Sequence, residues 1–431
     1  MTELEIACVR AWEALDSRGN PTVSCEVELE GGARGAAAVP SGASTGTHEA
    51  RELRDGGERY GGRGVLRAVT NAEGELSAAV TGLDAGDQAA VDAALRAADG
   101  TPALERLGAN AVLAVSVAAA LAAAAGRREP LWRAVADPGE APLLPLPMVN
   151  VLSGGAHAGA AIDMQDFLAV PVGAGSFAEA LEWAWRVRAA AAELVRERGL
   201  QAALVADEGG LGPALGSNRE ALELLTGAIE RSGLAPGDEV AIAIDVAATQ
   251  LAQPGGGYRL SVEDRTIAAP ELAAELAAWA AEHPLVSIED PLAEDDWDGW
   301  AGAGERLGHL QLLGDDLFAT NPERLRRGIE TGVANAVLVK PNQIGTLSSA
   351  REVVGMAREA GYATVLSARS GETEDAWLAD LAVGWGTGQI KVGSTTRSER
   401  TAKWNRLLRI EKELGAGARF AGRAALAPLG R

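Results

Sequence analysis

The chain has 431 residues, enough for a (β/α) barrel of about 250 residues with a further domain beside it. Hydrophobic residues make up 47% and aromatic ones only 4%, so a large core has to be filled mainly by Ala, Val and Leu. The 60 acidic and 39 basic side chains leave a formal charge of −21. That balance argues against nucleic acid or an anionic membrane as partner, but not against a phosphorylated substrate, because a bound metal and a few cations reverse a field locally.

The first residues, Met1-Thr2-Glu3-Leu4-Glu5, are acidic and lack the apolar core of a signal peptide. Cys8 and Cys25 are too few to staple a chain of this length and read as buried thiols of a reducing, cytoplasmic protein. Val23, Cys25, Val27 and Leu29 alternate with polar or small residues, Gly31-Gly32 makes a turn, and Ala33 to Val39 returns as a second strand. Pro40-Ser41-Gly42-Ala43-Ser44-Thr45-Gly46 is too rich in Gly and Ser for either regular structure and is expected to be a mobile loop, 41–47. From about Gly64 to Ala136 the apolar spacing is helical. The apolar run Ala111 to Ala125 is shorter than the roughly 20 residues a bilayer needs and reads as a buried helix. Strands followed by helices imply a small α+β domain over 1–141.

The stretch Pro142-Leu143-Leu144-Pro145-Leu146-Pro147 marks the boundary, and 142–431 is expected to be the barrel. Strands are predicted at Met148–Leu152, Phe167–Val172, Ala241–Val246, Val286–Glu289, Gln311–Gly314, Ala336–Lys340, Thr364–Ser367 and Gln389–Val392. Helices such as Phe177–Arg198, Pro270–Ala281, Pro322–Thr331 and Leu347–Ala360 lie between many of them. This alternation predicts an α/β fold with parallel strands closed into a barrel, least regular at its beginning.

Charged residues recur at strand ends: Asp245, Glu289, Asp315 and Lys340, with Arg369 and Lys391 in the same register. In a parallel barrel those ends converge on the face where active sites assemble. Three carboxylates there repel one another unless a hard divalent cation joins them, and Mg²⁺ accepts oxygen ligands while keeping places for substrate. A lysine near cations can lose its proton, which makes Lys340 a candidate base, set against a structural ion pair with Asp315 or Glu289. Arg369-Ser370 and Lys391 suit anions, set against simple salt bridging. The turn Asp207-Glu208-Gly209-Gly210 offers a candidate acid.

A series of motifs now resembles the enolase family: Asp16-Ser17-Arg18-Gly19-Asn20-Pro21-Thr22, the Ser41 to Gly46 loop, Gly154-Gly155-Ala156-His157, Asp207 to Gly210, Ser287-Ile288-Glu289-Asp290-Pro291, Gly314-Asp315-Asp316, Asn342-Gln343-Ile344-Gly345 and Arg369 to Asp375. The resemblance runs in order from about Ile6 to Leu414 and implies an enolase-type barrel carrying an N-terminal domain. It implies Asp245, Glu289 and Asp315 as ligands of one Mg²⁺, and Ser44 as a ligand of a second when substrate is present. Lys340 matches the base, Glu208 the acid, and His157 a histidine that closes over substrate. Asp166 belongs to the same catalytic group. Arg369 and Ser370 match phosphate binders and Lys391 a carboxylate binder, with Gly42, Gln165 and Ala368 also facing substrate. A homodimer or higher homo-oligomer is implied as well.

Three positions depart from the family pattern. Ser367-Ala368-Arg369-Ser370 stands where the family reads Ser-His-Arg-Ser, Gln165-Asp166-Phe167 where it reads Gln-Glu-Phe, and Ser153-Gly154-Gly155 where it reads Asn-Gly-Gly. Asp is one methylene shorter than Glu, which withdraws the carboxylate by about 1.5 Å. The missing imidazole leaves room for a larger head group. The chain therefore resembles the enolase paralogues of phosphonate and phosphinate antibiotic pathways that form carboxyphosphonoenolpyruvate. Ordinary dehydration of 2-phosphoglycerate, and a catalytically weak binding or structural protein, are the alternatives.

Overall fold

The computed structural model describes residues 3–42 and 46–427. The chain forms two compact units, one of Met1–Pro142 with Val339–Gly355 and Ala368–Gly386, the other of Leu143–Leu338, Met356–Ser367 and Thr387–Arg431.

In the first unit, β1 (Ile6–Leu15), β2 (Pro21–Leu29) and β3 (Arg34–Ala38) form an antiparallel sheet with β2 central. β2 and β3 are the expected hairpin. β1 was not anticipated, because a register irregularity between Ile6 and Cys8 and its mixed burial blur the period-two pattern. The helix Ala109–Gly126 packs against β2 and β3 and is apolar on all sides. It is long and apolar enough to cross a membrane, yet 83% of it is buried in the protein. Its alanines allow a very close approach: a Cβ on Gly35 of β3 would meet Ala122 N at 2.1 Å and Ala118 O at 2.4 Å. Small residues on both elements therefore substitute for the bulky core that the low aromatic content denies.

The second unit is built on eight strands: β4 (Leu146–Ser153), β5 (Asp166–Val170), β6 (Ala241–Asp245), then, after a small hairpin of β7 (Tyr258–Leu260) and β8 (Arg265–Ile267), β9 (Leu285–Glu289), β10 (Gln311–Gly314), β11 (Ala336–Val339), β12 (Ala363–Ser367) and β13 (Gly388–Gly393). They close in the order β10-β11-β12-β13-β4-β5-β6-β9. All eight barrel strands and the four helices named from sequence are present within a residue or two. Alternate residues such as Leu146 and Met148, Leu168 and Val170, and Ala241 and Ala243 form one buried cluster with Leu313, Leu338 and Val365.

One expectation is corrected. β5 runs antiparallel to both neighbours, β4 and β6, rather than parallel. No helix of crossover length separates β4 from β5, and two long helices, Phe177–Glu197 and Asn218–Arg231, lie between β5 and β6. A parallel neighbour needs a crossover helix, whereas a short connection turns the chain back. The reversal brings the first residue of β5, Asp166, opposite Ser153 and Asp245, the last residues of β4 and β6.

Candidate active site

β6 and β9 end in Asp245 and Glu289, which are register partners, and Asp315 directly follows β10, the next strand. All three carboxylates are buried. Lys391 of β13 reaches them with Nζ 2.8 Å from Asp245 Oδ2 and 2.6 Å from Glu289 Oε2. Burial alone would depress this lysine, but Asp245, Glu289, Asp166 and Glu208 together hold its pKa well above the ordinary value. Lys391 is thus no surface salt-bridge partner; it sits among the expected metal ligands.

Asp290 is an acid whose role sequence reasoning missed. Its Oδ1 accepts from the backbone N–H groups of Asp315 (3.1 Å) and Leu317 (3.4 Å), and its Oδ2 from that of Asp316 (2.7 Å). These bonds tie the turn that presents Asp315 and hold Asp290 itself at φ +41°. Burial, then Asp316, Asp315, Glu289 and Asp245, push its pKa well above the carboxylate range. Oxygens of Glu289, Asp290 and Asp315 lie within 4.8 Å of one another. The donors of Glu289, Asp290 and Asp315 are all hard oxygens brought close together, so the group fits a divalent cation of the Mg²⁺ kind. Gln165, expected at substrate, donates from Nε2 to Asp245 Oδ2 (3.1 Å) and accepts from Gln250 Nε2 (2.9 Å), so it steadies a candidate ligand.

A second group meets beside the first. His157 Nδ1 is 2.9 Å from Asp166 Oδ2, and His157 Nε2 is 4.0 Å from Glu208 Oε1. Burial favours the neutral ring, but Asp166, Glu208 and Asp245 raise its pKa to about 9. The fully buried Arg400, another residue without a sequence signal, has Nη1 4.0 Å from Glu208 Oε1 and donates from it to Val392 O at 3.0 Å. The Glu208 turn is seated by Arg188, which donates to Gly209 O (3.1 Å) and Ser394 Oγ (2.9 Å).

The remaining expected residues belong to the first unit. Lys340 is the first residue beyond β11 and is half-buried. Ala368 and Arg369 follow β12, and both are buried. The Arg369 guanidinium is gripped by Glu49, with Nη1 2.9 Å from Oε2 and Nη2 3.3 Å from Oε1, and by Asn342 Oδ1 at 3.0 Å. Arg18 donates to the carbonyls of Ser41 and Gly42, both at 3.0 Å, and lies 3.4 Å from Ser370 Oγ. Gly42 and Ser370 are thereby tied to one arginine. Ser44, expected on the second metal, lies outside the described residues, as do Ala43 and Thr45 of the expected loop.

Two family models match, and between them they cover almost the whole chain: the enolase N-terminal domain over residues 6–135 and the enolase C-terminal TIM barrel domain over residues 141–429. The chain belongs to the enolase family. It is accordingly a lyase of the enolase superfamily; the enolase family typically uses Mg²⁺ and binds small phosphorylated substrates, and the acidic group of this chain could hold such an ion.

Proposed function

We propose that this enolase-family chain is a cytoplasmic, Mg²⁺-dependent hydro-lyase that dehydrates a carboxyphosphono analogue of 2-phosphoglycerate to carboxyphosphonoenolpyruvate, as a step of phosphonate or phosphinate antibiotic biosynthesis. The supporting observation is selective change. The acid ring, Lys340, Glu208 and Lys391 are all present, whereas a methyl, Ala368, stands buried beside Arg369 where the family carries an imidazole.

Asp245, Glu289 and Asp315 would hold the metal, with Ser44 on a second ion when substrate binds. The cations supply charge stabilisation for the substrate carboxylate as its α-carbon loses a proton. Lys340 takes that proton, and the C–H electron pair moves into the carboxylate. Lys391 adds a fixed positive charge to the same stabilisation. The pair then returns to form the C=C bond as the β-carbon–oxygen bond breaks. Glu208 gives its proton to the departing hydroxyl, which leaves as water. Arg369, whose fork is held by Glu49 and Asn342, would exchange the Glu49 carboxylate for the phosphorus group, with Ser370 and Gly42 beside it. Ala368 leaves space there for the extra carboxylate.

The test is kcat/KM on 2-phosphoglycerate and on the carboxyphosphono analogue, for the native chain and for Ala368→His. A preference for the analogue is expected, and refilling the space should shift the ratio at least about tenfold, the equivalent of about 1.4 kcal/mol. A native preference for 2-phosphoglycerate makes this an ordinary enolase. Absence of turnover on both with Mg²⁺ present makes it a binding protein.

A further inference from the structure

Ser153 and Asp166, two of the departures, are cross-strand partners at the end of the β4–β5 pair, and both are fully buried. Ser153 Oγ donates to Asp166 Oδ1 at 2.9 Å. Asn150 joins them: its Nδ2 lies 3.0 Å from Ser153 Oγ and also donates to Asp166 Oδ1. Residues three apart on a regular strand face opposite ways. Here the register of β4 against β5 shifts between Asn150 and Leu152, which turns Asn150 and Ser153 toward the same carboxylate. The other oxygen of Asp166 holds His157 Nδ1 at 2.9 Å. The corner is closed on its far side, since a Cβ on Gly210 would meet Ser153 Oγ at 2.6 Å and Asn150 Oδ1 at 2.8 Å.

The geometry points to Asn150 and Ser153 as positioning residues that set Asp166, and through it His157, as one length-matched unit. A short hydroxyl reaches a short carboxylate. Lengthening the carboxylate alone carries it past both donors and displaces His157. Lengthening the donor alone drives an amide into space that Asp166 and Gly210 already fill. Lengthening both restores the match, so the two departures are one coupled change. This inference rests on the proposed dehydratase only in needing a substrate for one of its two readouts.

The experiment compares the native chain, Ser153→Asn, Asp166→Glu and the double variant. Thermal midpoints are measured in chelator, and kcat and KM on 2-phosphoglycerate and its carboxyphosphono analogue. Each single variant is expected to lose kcat by roughly 10²-fold, the low end for a displaced acid–base group, with KM little changed. The double variant should recover at least about tenfold over the poorer single, with a midpoint above both, because contacting sites are not additive. Additive losses in both readouts overturn the inference. Recovery of the midpoint without recovery of kcat reduces the pair to packing and overturns the positioning role. If the single variants do not fold, Ser153→Ala, which adds no volume, should show the same selective fall in kcat; native kcat in that variant overturns the inference. A native chain inactive on both substrates defeats the proposed function, while the midpoints still decide the coupling.

Discussion

The acid ring at β6, β9 and β10 and the polar corner at β4–β5 are held together in opposite ways. In the ring, Asp245 and Glu289 share Lys391, while Glu289, Asp290 and Asp315 bring carboxylate oxygens within 4.8 Å of one another. In the corner, a single carboxylate, Asp166, accepts from Asn150, Ser153 and His157. As the proposed metal site, the ring would depend on the charge and reach of its ligand acids, Asp245, Glu289 and Asp315. In the corner both oxygens of Asp166 are satisfied by neighbouring side chains, so its members can change length provided donors and acceptor change together. That contrast accounts for two of the three departures, Ser153 and Asp166, falling in the corner while the ring is spared.

The strongest way to break the comparison is to remove a ring acid. Asp245→Ala, Glu289→Ala or Asp315→Ala should each cut turnover by on the order of 10³-fold, the upper range for a lost electrostatic contact, with circular dichroism showing a folded chain. Turnover that survives in chelator would mean that the ring is not a metal site. Next come the acid and base. Lys340→Ala should abolish exchange of the substrate α-proton with solvent, and Glu208→Gln should slow water loss by about 10²–10⁴-fold while sparing that exchange. Normal exchange in the Lys340 variant would reverse the assignment.

The corner makes a smaller, pH-dependent prediction. His157 titrates at about 9 when folded against an ordinary 6.5, so the folded state holds the proton more tightly. The stability that Asp166, Glu208 and Asp245 give the protonated ring is therefore present at pH 6.5 and disappears as pH rises through about 9, while on the acid side burial raises the pKa of Asp166 and the pair is lost there as that carboxylate is protonated. In metal-free urea unfolding, the advantage of the native chain over His157→Gln should be at most about 3 kcal/mol and should shrink across that window. An advantage that grew with pH would exclude a charged pair. The smallest effect joins the two regions: Gln165→Leu removes the amide on Asp245 and should weaken Mg²⁺ binding about tenfold, read from the Mg²⁺ dependence of the thermal midpoint. Unchanged affinity would leave Gln165 outside the ligand set.

The barrel was legible in the sequence because parallel strands buried on both faces appear as short apolar runs, and because charges that end such runs have few places to go other than the rim. Ala109–Gly126 was readable as a core helix from its length and its alanines. β1 was not, since its alternation is interrupted at Ile6/Cys8. The reversed direction of β5 was not, since hydrophobic periodicity is the same read forward or backward, and only strand pairing placed Asp166 opposite Ser153 and Asp245. Local chemistry in the chain determined which residues could bind metal, move protons and grip an anion. Tertiary structure alone decided their partners: Lys391 on Asp245 and Glu289, Asp290 on the backbone of the Asp315 turn, and Glu49 on an arginine 320 residues away. Such pairings depend on distances that no local pattern encodes, and they form only where the closed sheet and the packed first unit bring distant side chains within hydrogen-bond reach.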